Sequence, residues 1–303
     1  MGGESRTRPF LCGEMMEVAT LLKQYGLRPK KSLGQNFLID EHALAQIVVN
    51  ADVTRDDVVL EIGPGLGSLT RQLAEAARHV IAVEIDRTLI PPLESVVAEY
   101  PNVSIVQGDI LQLNPTALLS PYLTNTLTYY KVVANIPYYI TSAIIRQLLE
   151  APIKPKLIVL TVQLEVAQRL IAQPDDMNLL AVSVQFYGQP RIVQRVKAGA
   201  FYPAPDVDSA VVRIDLPDEP RYAVSDVDAF FRVVKAGFSQ KRKQLHNALR
   251  AGLALPSETI LQALEAAQID PKRRAETVTI EEWVRLTEAM KDEFQPSSLT
   301  RSR

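Results

Sequence analysis

Residues 57–68 read Asp57-Val58-Val59-Leu60-Glu61-Ile62-Gly63-Pro64-Gly65-Leu66-Gly67-Ser68. A short apolar, valine-rich run breaks into three glycines at alternate positions, and a helical pattern over 68–77 follows at once. Glycine lets the backbone turn sharply and approach a ligand closely. The turn sits at the carboxyl end of a strand, where ligands bind in open α/β sheets. Its spacing is G-x-G-x-G. The G-x-G-x-x-G of dinucleotide folds would need a glycine where Ser68 stands, which counts against a pyrophosphate-bearing nicotinamide cofactor. The bland alternative is a tight strand-to-helix turn with no ligand.

Outward from this turn, further strand-like runs occur at 79–84, 103–107, 130–134 and 157–163, with helical patterns between most of them, including 87–99 and 141–150. Alternating strands and helices imply an α/β fold with a mostly parallel sheet covered on both faces. Residues 179–187, 191–197 and 208–215 read as strands of an antiparallel edge. The polar stretch 217–226 carries two prolines and marks a boundary. Helical patterns at 226–238, 241–252, 257–267 and 280–292 then imply a small all-α C-terminal domain. Upstream, helices are expected at 14–25 and 40–50, flanking a loop at 28–38. The expected division is an N-terminal extension and helix (1–27), a sheet domain (28–217), a helical domain (218–294) and a disordered tail (295–303).

Composition narrows the function classes. The chain has 303 residues, enough for one large domain or a large and a small one at ~150 residues each. Hydrophobic residues make up 47% and charged residues 22%, which argues against wholesale disorder. No run of 18 apolar residues suggests a membrane span, and the first eleven residues lack the apolar core of a secretory signal. Cys12 is the only cysteine, so an intramolecular disulfide and a multi-thiolate zinc site are excluded. His42, His79 and His246 are far apart, and no metal site is expected. A cytoplasmic protein follows. Net charge is −2, so the chain lacks an overall basic footprint. The charge is uneven, however. Residues 23–31 and 238–250 carry four cations each and no acid, the latter as Lys241, Arg242, Lys243 and Arg250. They fit phosphate contacts, or simply a solvated face.

Three further positions complete a candidate site. Glu84 ends the second strand, where a carboxylate can accept both ribose hydroxyls of an adenosine. Asp109 follows the third strand, where an adenine amino group would need an acceptor; the alternative is a helix N-cap. The fourth strand ends in Asn135-Ile136-Pro137-Tyr138. An adenine N6 lone pair is delocalised into the ring and is a poor nucleophile. Neutral acceptors on both amino hydrogens favour a pyramidal nitrogen that can attack a methyl sulfonium. The Asn135 side-chain oxygen and the Pro137 carbonyl can supply them, and Tyr138 offers a stacking face. No strong base is needed, because the alkylated amine readily loses its proton to water.

These motifs together resemble the KsgA-type (RsmA) ribosomal RNA adenine N6,N6-dimethyltransferases over about residues 28–250. Residues 31–40, KSLGQNFLID, resemble that family's N-terminal cofactor motif. Residues 201–209, FYPAPDVDS, resemble its F-x-P-x-P-x-V-x-S loop, and 238–249, FSQKRKQLHNAL, the signature opening its helical domain. The resemblance implies a Rossmann-like S-adenosylmethionine-dependent methyltransferase sheet. It implies contacts to S-adenosyl-L-methionine at Asn36, Leu38, Gly63, Glu84, Asp109 and Asn135, with Gly65 in the same glycine turn. It implies that Tyr138 and Phe201 hold the flipped adenine. The implied substrate is a pair of adjacent adenosines in a hairpin loop near the 3′ end of small-subunit ribosomal RNA, within an immature small subunit. A monomer is expected. Two departures fall in the expected RNA-facing region: Gln163-Leu164-Glu165 where the family has Gln-Lys-Glu, and Asn178-Leu179 where it has Tyr-Gly near the sixth strand.

Other readings differ in particular residues. The large-subunit RNA methyltransferases of macrolide resistance share the fold, but residues 34–40 and 241–249 favour the small-subunit type. A DNA adenine methyltransferase shares only the Asn-Pro-Tyr logic and the cofactor turn. A non-catalytic RNA-binding assembly or transcription factor on this fold is expected to have lost Asn135, Tyr138 or Glu84, and all three are present. A nicotinamide oxidoreductase is disfavoured by the glycine spacing.

Overall fold

The computed structural model describes residues 18–122, 129–137 and 140–294. Cys12, Tyr138 and the 295–303 tail lie outside the described residues. The chain divides into two compact units: one of residues up to Ala167 with Gln189–Leu216, the other of Gln168–Gly188 with Pro217 onward.

The first unit is built on a seven-stranded sheet. Its strands, in spatial order, are β4 (Val103–Gln107), β3 (His79–Glu84), β2 (Val58–Ile62), β5 (Lys131–Asn135), β6 (Leu157–Gln163), β9 (Ser209–Asp215) and β7 (Gln189–Val196). The first five are parallel, and β9 and β7 run antiparallel to them. All five residues of β2 are buried, as a strand covered on both faces requires, whereas β7 at the edge is largely half-exposed. Helices α2 (Glu41–Asn50) and α3 (Ser68–Ala76) bury Leu44, Ile47, Leu69 and Leu73 against the sheet residues Val59, Val80 and Val133. Helices α1 (Val18–Gln24) and α4 (Ile90–Val96) share a second cluster with Phe37 and Leu66, and α5 (Pro115–Leu119), α6 (Thr141–Glu150) and α7 (Leu164–Leu170) follow in the chain. A separate two-stranded ladder pairs β1 (Phe37–Leu38) with β8 (Phe201–Tyr202), opposing Phe37 to Tyr202 and Leu38 to Phe201.

The parallel register sets the site. Ile62 pairs with Val83, and Glu84 with Gln107. The glycine turn, Glu84, Asp109 and Asn135 therefore stand together at the carboxyl ends of β2, β3, β4 and β5. Chain order reverses at β2, between β3 and β5, which is where such sheets open a crevice.

The second unit is helical: α8 (Leu179–Tyr187), α9 (Val227–Phe238), α10 (Leu245–Leu253), α11 (Ser257–Ala266), α12 (Ile280–Ala289) and α13 (Lys291–Phe294). Its core gathers Trp283, Phe230 and Phe186, the last two stacked at 4.3 Å between ring centroids. Two expectations are corrected here. Residues 179–187 form a helix and not a strand. The Asn178 side chain caps it by accepting from the Ala181 amide, and Ala181, Val182, Val184 and Phe186 are buried. This segment groups with the C-terminal helices rather than with the sheet. The second basic stretch is also only partly helical. After α9 ends at Phe238 the chain turns, with Lys243 N donating to Gln240 O, and α10 begins at Leu245. Lys241, Arg242 and Lys243 thus lie on a turn, and Arg250 alone of the four is on the helix.

Candidate functional site

A pocket opens at the crevice of the first unit. Its walls include Asn36, Leu38, Gly63, Gly65, Glu84, Asp109, Asn135 and Pro137, so most of the expected site residues are brought together. The glycine turn has left-handed backbone at Gly63 (φ 70°) and Gly65 (φ 59°), which only glycine adopts freely. A Cβ on Gly65 would lie 2.9 Å from the Phe37 ring, and one on Gly63 would lie 3.7 Å from the Asn135 carbonyl oxygen. The turn therefore needs bare backbone both for its shape and for the space around it.

Glu84 is 4% exposed and lies in the pocket wall. Its Oε2 accepts from the Gly65 amide at 3.0 Å and its Oε1 from the Asp86 amide at 2.7 Å. Burial pushes the carboxyl above its ordinary value, and those amides pull it back. Each carboxylate oxygen keeps a further lone pair for a hydroxyl donor.

Asp109 serves as a turn cap and a pocket wall at once. Its Oδ1 accepts from the Leu111 amide at 3.0 Å and its Oδ2 from Gln112 at 3.3 Å. Gln147, on α6 (Thr141–Glu150), steadies this turn by donating to the carbonyls of Ile110 (2.8 Å) and Leu113 (2.9 Å).

Asn135 Nδ2 donates to the Asn36 carbonyl at 3.1 Å, which leaves the amide oxygen as the acceptor. Pro137 O accepts from Ile140 N at 3.3 Å and has a second lone pair. The segment leading into Asn36 is held by a clamp that sequence reasoning missed. Asp86 is buried and accepts from Lys30 Nζ at 2.7 Å and Gln35 Nε2 at 2.8 Å. Burial alone would raise the Asp86 carboxyl, but the bonds from Lys30, Thr88 and Gln35 outweigh it and hold it down to about 2. The clamp straps residues 30–35 to the end of β3.

Phe201 is the exception. It is 3% exposed, outside the pocket wall, and packed with Leu38, Val196 and Val211. Its backbone pairing with Leu38 turns the ring into the core, so it does not offer a free stacking face here. Glu61, also missed, is fully buried in the pocket wall.

In the second unit Lys241, Arg242, Lys243 and Arg250 are all exposed. The loop 271–274 packs alongside, with Leu245 N donating to Arg273 O at 2.7 Å and His246 N to Pro271 O at 3.3 Å. That adds exposed Lys272 and Arg274 to the cationic surface. Among the described residues no helix is long and apolar enough to cross a membrane.

Comparison with known proteins agrees with this geometry. The chain is 46% identical over 270 residues to a ribosomal RNA small subunit methyltransferase A of Dehalococcoides mccartyi, covering 89% of this chain and 91% of the relative. It is 44% identical over 275 residues to a protein of the same name from Lactiplantibacillus plantarum, covering 89% and 95%. Among solved structures, a dimethyladenosine transferase from Plasmodium falciparum matches with TM-score 0.72 and 25% identity, over 85% of this chain and 98% of that one. The 23S rRNA methyltransferase ErmE matches with TM-score 0.67 and 30% identity, over 84% and 100%. The ribosomal RNA adenine dimethylase family matches residues 26–292, a span that contains every pocket and cationic residue named above, and the chain belongs to that family.

Proposed function

We propose that this protein dimethylates N6 of two adjacent adenosines in a hairpin loop near the 3′ end of small-subunit ribosomal RNA, acting in the cytoplasm as a monomer on an immature subunit. The observation that carries the reading is Asn135: its amide hydrogen is engaged by the Asn36 carbonyl, and its oxygen is the acceptor at the rim of a glycine-walled pocket. Relatives at 46% identity bear the small-subunit name, while the 23S enzyme stands at 30%, which favours the small subunit over the large.

The pocket fits S-adenosylmethionine: a bare glycine cradle, a buried carboxylate with lone pairs for two hydroxyls, and a second carboxylate at Asp109. When bound, the cofactor supplies an electrophilic methyl group. Gly63, Gly65, Asn36 and Leu38 shape the cradle, Glu84 takes the ribose hydroxyls, and Asp109 takes the adenine amino group. The target adenine presents N6 to Asn135 Oδ1 and the Pro137 carbonyl, with Tyr138 stacking on the ring. These neutral acceptors draw on the amino hydrogens, so the nitrogen lone pair is localised. As the N6–methyl bond forms, the sulfur–methyl bond would break and its electron pair stay on sulfur as a neutral thioether, and the N6 proton would be lost to water.

The deciding experiment is mass spectrometry of RNA after incubation of the protein with isotopically labelled S-adenosylmethionine and immature small subunits. Label in N6,N6-dimethyladenosine of the small-subunit RNA is expected; label only in large-subunit RNA, or in none, overturns the reading. A second expectation concerns Glu84. Losing a charged acceptor to two hydroxyls costs roughly 1.5–3 kcal/mol, so Glu84→Ala should weaken S-adenosylmethionine binding about 10- to 150-fold in calorimetry. The loss of the Gly65 bond should be visible as a small drop in melting temperature, with the fold intact.

The cationic surface should hold RNA phosphates. Neutralising Lys241, Arg242 and Lys243 together should flatten the slope of log K against log salt by about 2–3, since each phosphate contact contributes roughly 0.7–0.9. Cofactor affinity should stay constant. An unaltered slope would make these side chains a solvated face only.

A further inference from the structure

The loop from Phe201 to Ser209 was expected to deliver Phe201 to the target base, yet Phe201 is in the core. The residue beside it is not. Side chains alternate across a strand, so Tyr202 projects to the opposite face of β8. It is 41% exposed, more than any other Phe, Tyr or Trp among the described residues. An aromatic ring is a large apolar surface that folding normally hides, and an exposed one beside a site suits a stacking partner.

Its position is fixed by the small ladder. Tyr202 lies directly opposite Phe37. Opposed residues of an antiparallel pair share a face. Phe37 is the residue whose ring meets Gly65, in the wall of the pocket. Tyr202 therefore shares a face of the ladder with the pocket-wall residue Phe37 while standing outside the pocket wall itself. The same ladder carries Leu38, in the wall, and continues from Asn36, whose carbonyl holds Asn135. Val207, 46% exposed, adds apolar surface on the same loop.

We propose that Tyr202 is a specificity-determining residue that stacks on the nucleobase next to the adenosine being methylated, and so presents the two neighbouring adenosines in turn. This rests on the RNA methyltransferase reading above. The class of ligand is an unpaired purine base: a stack needs a π-face, and only a base out of a duplex offers one. Because the contact is to the neighbour, the cofactor site and the amino-group acceptors are untouched by it.

The test is a double-mutant cycle on the full chain. The substrates are immature small subunits whose RNA hairpin carries the two adjacent loop adenosines, and the same subunits reconstituted with one of those adenosines replaced by an abasic nucleotide. With the intact subunits, Tyr202→Ala should lower kcat/KM for RNA about 5- to 150-fold, the range for loss of one stacked base, while S-adenosylmethionine affinity is unchanged. Tyr202→Phe should remain within about threefold of wild type, since the face is kept. With the abasic subunits the wild type should lose activity to a similar degree, and Tyr202→Ala should add little to it, which is the non-additivity expected of groups that touch. Equal rates for Tyr202→Ala and wild type on the intact subunits, or fully additive losses, would overturn the assignment of Tyr202 while leaving the methyltransferase reading in place. A wild-type protein that methylates no adenosine of the intact immature subunits would overturn both.

Discussion

Asn135→Ala is expected to lower the single-turnover rate of methyl transfer by at least about 100-fold at saturating RNA and cofactor, with RNA affinity within about threefold of wild type. The size follows from where the interaction acts. Amino-group acceptors matter little to a ground-state adenine, whose N6 hydrogens find water readily, and matter most as the nitrogen becomes pyramidal. Removing one preorganised polar partner of a transition state costs about 10²–10³ in rate. RNA affinity is dominated by phosphate contacts, which Asn135 does not make. The structure also indicates why the asparagine must be an amide. Its Nδ2 donates to the Asn36 carbonyl at 3.1 Å, which locks the orientation that leaves Oδ1 as acceptor. Asn135→Asp would set a carboxylate oxygen against that carbonyl and should do no better than alanine. Rapid-quench assays with labelled cofactor, alongside filter binding of the RNA, separate the two quantities. A wild-type rate for Asn135→Ala would remove the proposed acceptor and the site assignment with it.

Much of this site is legible in the sequence because each element is local. A strand that runs into a glycine turn, a carboxylate ending the next strand and an Asn-x-Pro motif ending the fourth need only the parallel order of strands to meet. That order follows from the alternation of strand and helix. The misreadings have a different origin. Residues 179–187, LLAVSVQFY, are apolar almost throughout, so neither a period of 2 nor one of 3.6 can be read from them. The helix is decided by burial within the second unit and by the Asn178 cap, a signal the sequence did contain. The turn at 241–244 reads as helix in the sequence because charged side chains carry no periodicity on a solvated face. Phe201 shows a further limit. A motif position fixes the backbone, but the pairing Leu38↔Phe201 decides which of two neighbouring aromatics faces inward. The Lys30–Gln35–Asp86 clamp joins residues more than 50 positions apart and has no local signature.

Glu61, the acid inside the opening stretch, gives the other large expected effect, and it falls on stability. Glu61 is 1% exposed, and its Oε2 has no hydrogen-bond partner among the described residues. Burial pushes its carboxyl up to about 8; the Thr70 hydroxyl pulls the other way without completing a bond of normal geometry, and the nearby Glu84 carboxylate adds to the rise. In the unfolded chain the same group titrates near the ordinary glutamate value of about 4.3. Between those two values the folded state binds the proton and the unfolded state does not. Stability therefore falls as pH rises through that window, is unaffected by this group below it, and levels off above about 8. Glu61→Gln keeps the shape and removes the titration. Relative to wild type it should be nearly neutral at pH 4.5 and more stable by on the order of 3–5 kcal/mol at pH 9, a value set by the shift itself. Urea unfolding at the two pH values, without cofactor, measures the difference. A gain that is the same at both would mean that Glu61 is already ionised in the folded protein at pH 4.5, and that some donor outside the described contacts satisfies its free oxygen.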